Sequence, residues 1–179
     1  MRVDRVASPR FGFDVLVFHR EVDGAVDRVS IEVVGSKTRE NPHEPQRVVT
    51  DIVGREPHPA SELVARYLAG ERVEFFRFEG EAFPPLENKF RGQFSRRAFE
   101  VLKRVPYGTT ITYGQLARLA GSEAARAAGN VARQNPYPVL VPCHRVVAAK
   151  GMGGFAGRRH GAWLRVKATL LDLERGATF

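Results

Sequence analysis

The sequence predicts an α/β protein in two parts: a small N-terminal α/β domain with an antiparallel sheet, and a mostly helical C-terminal domain with a helix-turn-helix. Two patterns support this prediction. Apolar and polar residues alternate in the first 33 residues, as in strands, whereas beyond residue 93 apolar residues recur every three or four positions, as in helices. Phe83-Pro84-Pro85 interrupts regular structure between them, so we predict domains at 1–85 and 86–179.

The first predicted element is an antiparallel β-hairpin. Asp23-Gly24 is a suitable turn for it. The alternating apolar residues that predict its two strands are Phe11, Phe13, Val15 and Val17, followed by Val29, Ile31 and Val33. Alternation of this kind is typical of strands that place one face against a core.

The rest of the N-terminal part combines loops with one helix. Residues 35–59 are rich in turn formers and charge, which predicts a long loop with at most one short element. Residues 61–68 have helical periodicity, and Gly70 is a suitable residue just beyond the helix end. Residues 73–78 predict another short strand.

The C-terminal part opens with two predicted helices. One face of the first contains Phe94, Ala98, Val101, Leu102 and Val105. In the second, Thr112 and Gln115 have the spacing of a capping box, Leu116 and Leu119 form the predicted buried stripe, and Gly121 ends the helix.

A third helix is predicted at about residues 123–133, with Ser122 as its cap and Asn135-Pro136 as its end. Together with the preceding short helix it forms a candidate helix-turn-helix. One face of it contains only small apolar residues, and Arg126, Asn130 and Arg133 lie on another face. A final amphipathic helix is predicted from Trp163, Val166, Leu170 and Leu173.

Composition restricts the class of protein. The chain has 28 Lys and Arg against 20 Asp and Glu, a net charge of +8, and a pI near 10.2, which favours a polyanionic partner, first nucleic acid and second an anionic membrane. The sequence has no long uncharged apolar run, so it predicts no transmembrane span. The first residues also lack the apolar core of a signal peptide, and we therefore expect a cytoplasmic protein. The excess of arginine over lysine leans toward a thermophilic source or a G+C-rich genome.

Cys143 is the only cysteine, so the chain has neither an internal disulfide nor a multi-cysteine zinc site. It lies in the segment Val141-Pro142-Cys143-His144-Arg145. An imidazole and a guanidinium next to the thiol both favour the thiolate, which predicts a reactive cysteine. The alternative is a small buried hydrophobic residue with no chemical role.

Three segments resemble the O6-alkylguanine-DNA alkyltransferases. The most specific runs from Asn135 to Val147 and contains Asn-Pro-x-Pro followed by Pro-Cys-His-Arg. The others run from Pro106 to Ala117 and from Ala124 to Gly129, and the similarity extends to about Glu174, roughly the C-terminal half. The resemblance implies a ribonuclease H-like N-terminal domain and a winged-helix-like C-terminal domain.

The resemblance also implies an activity and the residues that perform it. Cys143 would accept the alkyl group irreversibly, once per molecule. His144 would activate the thiol through a water molecule, and Glu174 would orient His144, as in a nucleophile–base–orienter triad. Tyr113 would donate a proton or hydrogen bond to guanine N3, and Arg126 would fill the base stack after the damaged base has flipped out.

Further residues match substrate-binding or DNA-binding positions of the family. By resemblance, the backbone N–H of Ala156 meets guanine O6, Lys167 lies at the base pocket, and the remaining DNA or substrate contacts are Gly129, Arg133 and Asn135. The glycine-rich loop at residues 150–157 departs from the common Tyr-Ser-Gly pattern, because Phe155-Ala156-Gly157 has no side-chain hydroxyl. Residues 158–163 make the segment before Lys167 about five residues longer than in close relatives.

The predicted partner is double-stranded DNA containing O6-alkylguanine, bound through the minor groove by a monomer without a cofactor, a metal or a membrane. Two other classes stay open. A non-catalytic lesion-binding relative is disfavoured by the presence of Cys143, since such relatives lack the cysteine. A hydrolase that uses Cys143 and His144 would be distinguished by repeated turnover.

Overall fold

The computed structural model describes residues 1–7, 11–33 and 56–176. The predicted loop at 35–59 therefore lies almost entirely outside the described residues. Within these ranges the fold is a mixed α/β architecture with a three-stranded antiparallel sheet and five α-helices. The predicted fold class is confirmed at this level. No described helix is long and apolar enough to cross a lipid bilayer.

The antiparallel sheet has the strand order β1 (Arg2–Val6), β2 (Phe13–His19) and β3 (Val26–Val33). The predicted β2–β3 hairpin is confirmed, with Val15 opposite Ile31 in the ladder. In β3 the predicted apolar residues Val29 and Ile31 are buried, whereas β2 is buried on both faces, because Asp14 and Leu16 are buried as well as Phe13, Val15 and Val17. Strand β1 was not predicted, because Arg2–Val6 contains two arginines and an aspartate and so lacks a clear apolar alternation.

Helix α1 (Pro59–Leu68) packs against this sheet. It begins at Pro59 because proline suits the first helical position, and the His58 side chain accepts a hydrogen bond from Ala60 N. It ends before Gly70, whose φ of +97° suits glycine. The predicted helix is confirmed, with Tyr67 among its buried residues.

The predicted strand at residues 73–78 is wrong. A 3-10 helix occupies Phe75–Phe78 instead. Val73 and Phe75 are both buried, so the alternating apolar residues do face a core, but the segment forms no ladder with a described strand. A short apolar run can bury its side chains either as a strand or as a 3-10 helix, so the apolar pattern did not distinguish the two conformations.

The C-terminal part contains the predicted helix-turn-helix. Helix α2 (Gln93–Lys103) buries Phe99 and Leu102 and packs against the two helices that follow, α3 (Tyr113–Leu119) and α4 (Ala125–Arg133). The capping box of α3 is confirmed: Gln115 N donates to Thr112 Oγ1 over 3.1 Å, and Thr112 N donates to the Gln115 side chain over 2.7 Å.

Two details of this unit differ from prediction. Helix α4 begins at Ala125 rather than near residue 123, because the Ser122 hydroxyl bonds to Ala124 N in the turn and does not cap the helix. Leu119 is 64% exposed rather than buried, since α3 ends there and its buried side is completed by Leu116 and Ala117.

Two remaining pieces position the cysteine segment. Strand β4 (Ile111–Thr112) pairs in parallel with β5 (Val146–Val147), which joins the start of α3 to the residues after Cys143. Helix α5 (Ala162–Glu174) packs on the cysteine segment and buries Val166, Leu170 and Leu173, as predicted. Apolar residues of the sheet, of all the helices and of the cysteine segment form one continuous core.

Candidate active site

Cys143 opens a short 3-10 helix, Cys143–Arg145, and lies on the wall of the cavity described below. Pro142 precedes it, and Cys143 N donates to Val141 O over 2.8 Å, so a tight turn fixes the cysteine backbone. The residue is only 7% exposed. A cavity of about 750 Å³ opens beside it, between α4, Tyr113 and the glycine-rich loop.

The surroundings of Cys143 favour the thiol. Burial raises the pKa of Cys143, and this outweighs the opposing influence of the Asn135 side chain and of the positive charge of Lys167. The expectation that both cationic neighbours favour the thiolate is therefore wrong, because the Arg145 guanidinium is engaged by Glu174. Reaction at this sulfur requires a base that removes the proton during attack.

The neighbouring His144 is the predicted base. It is fully buried, and its Nε2 lies 2.8 Å from Glu174 Oε1. Because an ionised carboxylate only accepts hydrogen bonds, Nε2 carries the proton and Nδ1 carries the lone pair. Burial lowers the pKa of His144 while Glu174 raises it, and the net direction is down, so the ring is neutral and able to accept a proton. Nδ1 is buried without a hydrogen-bond partner among the described residues.

Glu174 is the centre of a buried hydrogen-bond network. The guanidinium of Arg145 donates from Nε to both carboxylate oxygens, over 3.0 and 2.9 Å, and from Nη2 to Oε1 over 2.8 Å. Gly108 N donates to Oε2 and the Tyr67 hydroxyl donates to Oε1. Burial raises the pKa of Glu174, but the hydrogen bonds and charges of His144 and Arg145 lower it to about 2.

Sequence reasoning identified Glu174 and His144 but missed three partners of the carboxylate. Arg145 stands within the Pro-Cys-His-Arg motif. An arginine in a largely apolar segment needs an acidic partner if the segment is buried, and this requirement is the signal that could have been used. No sequence signal indicated Gly108, which acts through its backbone, or Tyr67, which lies 107 residues before Glu174.

Lys167 fastens the glycine-rich loop to the cysteine segment. It is fully buried on α5, and its Nζ donates to the carbonyl oxygens of Val146, Met152 and Gly154 over 2.6, 2.8 and 3.0 Å. Burial lowers its pKa to about 8, against a raising influence of Cys143. Its three donors are used by carbonyl groups and it does not line the cavity, so its role at the base stays a prediction.

Tyr113 lines the cavity at the first residue of α3. Its hydroxyl donates to Gly154 O over 3.2 Å, and burial, together with the nearby Cys143, raises its pKa. Gly129 of α4 and Gly153 of the loop both face its ring, and a Cβ at Gly153 would lie 3.0 Å from Tyr113 Cε2. These glycines therefore allow the helix and the loop to close around the ring.

A two-residue turn shapes the rim of the cavity at Ala156. Phe155 N donates to Arg158 O and Arg158 N donates to Phe155 O, so the turn's hydrogen bonds do not use the N–H of Ala156. Both central residues, Ala156 and Gly157, have positive φ, of 47° and 79°. Ala156 thus holds a backbone conformation that L residues rarely adopt, at the position predicted to contact guanine O6.

Helix α4 forms the opposite rim. Arg126 and Arg133 are exposed and line the cavity, with Gly129 between them. A Cβ at Gly157 would lie 3.4 Å from Arg133 Cδ, so the loop glycine and this arginine are in close contact. Asn135 has a different position: its side chain donates to Val141 O over 2.8 Å and accepts from Tyr137 N, bracing the turn before Cys143.

Comparison with known proteins shows the family of the chain. A family model described as "6-O-methylguanine DNA methyltransferase, DNA binding domain" matches residues 93–176. A methylated-DNA–protein-cysteine methyltransferase of Methanosarcina acetivorans is 38% identical over 120 residues, covering 58% of this chain and 72% of that protein. The chain belongs to this methyltransferase family. The resemblance seen in the sequence is confirmed.

Another methyltransferase of the family, from Thermococcus gammatolerans, is 41% identical over 130 residues, covering 72% of this chain and 66% of that protein. Across the first three curated relatives the chain spans about half to two thirds of the relative's length. The crystal structure of the Mycobacterium tuberculosis O6-methylguanine methyltransferase has a TM-score of 0.67 and 26% identity, covering 99% of this chain and 94% of that one. That methyltransferase has also been solved in complex with DNA, with a TM-score of 0.65 and 24% identity.

Proposed function

We propose that this protein repairs O6-alkylguanine in double-stranded DNA by transferring the alkyl group to its own Cys143. One observation carries the proposal: the only cysteine lies on the wall of a cavity, and its neighbour His144 is held by the buried carboxylate of Glu174. Relatives named methylated-DNA–protein-cysteine methyltransferases support the same assignment.

The proposed reaction is a displacement at the alkyl carbon. His144 takes the proton of the Cys143 thiol, through a water molecule as the family resemblance implies, while sulfur attacks. A C–S bond forms and the bond between carbon and guanine O6 breaks. Guanine leaves with developing negative charge and takes up a proton at N3, which Tyr113 donates. The thiol proton is left on His144 and the proton on guanine comes from Tyr113, so the imidazolium and the phenolate return to their neutral forms by proton exchange with solvent. Cellular thiols do not reverse a thioether, so each molecule acts once.

DNA binding is assigned to the helix-turn-helix of α3 and α4. Helix α4 consists largely of alanine and glycine, so its backbone approaches the minor groove closely, and Arg126 fills the gap left by the flipped base. Arg133 and Gly129 lie on the same rim, and Ala156 N–H is a donor for guanine O6. Asn135 and Lys167 shape the base pocket through their hydrogen bonds to backbone carbonyl oxygens. The Mycobacterium tuberculosis protein solved with DNA supports a DNA partner.

The finer architecture belongs to the same proposal. The N-terminal domain, residues 1–85, is ribonuclease H-like, and the C-terminal domain, residues 86–179, is winged-helix-like. The protein acts as a monomer in the cytoplasm, associated with the nucleoid if it is prokaryotic. Similarity to the alkyltransferase structures supports the architectural part of this proposal.

The decisive experiment is transfer of a label from duplex DNA that contains radiolabelled O6-methylguanine. We expect one equivalent of label per protein molecule, mapping to the peptide that contains Cys143, and none with Cys143→Ser. The variant should still bind DNA, because binding rests on α4 and the basic surface. Label on the Cys143→Ser protein would refute the assignment of the nucleophile. Repeated turnover on an ester or peptide would identify a hydrolase, and binding without transfer would identify a lesion-binding protein.

A further inference from the structure

Tyr67 connects the N-terminal part of the chain to the proposed reaction site. It lies on α1 and is fully buried. Its hydroxyl donates to Glu174 Oε1 over 2.8 Å and lies 3.3 Å from His144 Nε2. The same carboxylate oxygen accepts from His144 and from Arg145, so three side chains converge on one atom.

The position of this hydroxyl is fixed by packing. The Tyr67 ring lies 5.5 Å from the ring of Phe75 and 6.1 Å from that of Tyr107, nearly perpendicular to the latter. Burial and the neighbouring Glu174 raise the pKa of Tyr67 well above its ordinary value. The phenol therefore stays protonated, and it acts as a hydrogen-bond donor throughout the reaction.

We propose that Tyr67 is a positioning residue for alkyl transfer, which holds the Glu174 carboxylate in the orientation that aligns His144 with the Cys143 thiol. This inference rests on the proposed function. It gives α1 an indirect part in the reaction, although α1 lies outside the sequence segments that resemble the family. Tyr67 acts through Glu174, and the alkyl group and the base have no need to touch it.

The hydroxyl also sets the strength of the base. Its hydrogen bond stabilises negative charge on Glu174 and so weakens the pull of the carboxylate on the His144 proton. Without the hydroxyl, more of the negative charge of Glu174 faces His144, and this charge raises the pKa of the imidazole. Only the neutral ring accepts the thiol proton, so a smaller fraction of molecules is active at low pH. The acid limb of the rate profile then moves to higher pH.

The test is the single-turnover rate of Tyr67→Phe with excess free O6-benzylguanine, measured across a pH series. Phenylalanine keeps the ring and removes the hydroxyl. We expect the acid limb to move to higher pH, with rates on the limb roughly threefold to tenfold below wild type, in proportion to one lost hydrogen bond. Tyr107→Phe is the matched control, because the Tyr107 hydroxyl donates to Leu173 O and not to Glu174. Its profile should overlay that of wild type.

The fraction of protein that can react is measured for each variant with labelled substrate. Partial unfolding of a variant therefore lowers the amount of product formed but leaves the single-turnover rate constant interpretable. A second measurement is the NMR titration of His144, which should occur at higher pH in Tyr67→Phe. A profile and a titration identical to wild type, even with a lower melting temperature, would overturn the inference and leave Tyr67 a packing residue. Failure of the wild type itself to react would instead refute the proposed function.

Discussion

At the scale of the residue, the stability of the site depends on Glu174. Its pKa of about 2 lies below the value near 4.3 of an unfolded chain, so the ionised carboxylate stabilises the fold above that pH. This contribution is lost as pH falls from about 4.3 toward 2. Glu174→Gln leaves Arg145 only the more distant carboxylate of Glu74, 3.7 Å from Nη1, and we expect a loss of about 3 to 5 kcal/mol at neutral pH, the range for a broken buried ion pair.

Calorimetry at a series of pH values checks this expectation. The difference between wild type and Glu174→Gln should shrink as pH falls through the range in which Glu174 becomes protonated. Glu81→Gln, at an exposed glutamate, is the control and should track wild type throughout. A difference that stayed constant with pH would mean that the variant acts through packing rather than through charge.

A second prediction at this scale concerns the close contact between Gly153 and Tyr113. A Cβ there would meet Tyr113 Cε2 at 3.0 Å and Ala148 N at 3.1 Å, whereas a Cβ at Gly151 would meet nothing within 4 Å. Both glycines have positive φ, so Gly151→Ala carries only the backbone strain of roughly 1 to 2 kcal/mol. We expect Gly153→Ala to displace Tyr113 and slow transfer from free O6-benzylguanine by about tenfold more than Gly151→Ala. Equal rates in the two variants would show that strain alone matters.

At the scale of the element, the proposed role of α4 in base flipping can be tested separately from the chemistry. Arg126 is exposed on the rim of the cavity, so its substitution leaves the core intact. Arg126→Ala should slow repair of duplex DNA by about one to two orders of magnitude, since unstacking a base costs a few kcal/mol. Free O6-benzylguanine has no stack to leave, and its reaction should change little. Arg66→Ala, at an exposed arginine on α1, is the control. Equal losses on both substrates would assign Arg126 to the pocket itself.

At the scale of the whole molecule, the net charge of +8 favours binding to a polyanion, and salt weakens binding of this kind. If phosphate contacts dominate affinity, log K for duplex DNA falls linearly with log salt concentration, with a slope close to the number of phosphates neutralised. Fluorescence anisotropy with undamaged duplexes of several sequences measures this slope. We expect little sequence preference, because the minor groove presents a degenerate pattern. A strong preference for one undamaged sequence, or a flat salt response, would contradict this mode of binding.

The elements that the sequence predicted well are those with strong local signals. The β2–β3 hairpin, α1, α2, the α3 capping box and α5 each follow from periodicity or capping over neighbouring residues. Local signals failed where two conformations bury the same side chains, as at Phe75–Phe78, or where a polar strand has no pattern, as at Arg2–Val6. The start of α4 was misplaced because a serine near a helix bonds equally well within the preceding turn.

The sequence by itself determined the family and predicted the nucleophile: a single cysteine within an Asn-Pro-x-Pro and Pro-Cys-His-Arg segment needs no structure to be recognised. Only the tertiary structure decided the protonation chemistry. It buries the thiol, turns Arg145 away to Glu174, and brings Tyr67 of α1 to the same carboxylate. Desolvation and long-range hydrogen bonds depend on which distant segments pack together. Adjacency along the chain does not report them, so the sequence neighbours of Cys143 do not by themselves show whether the sulfur is a thiol or a thiolate.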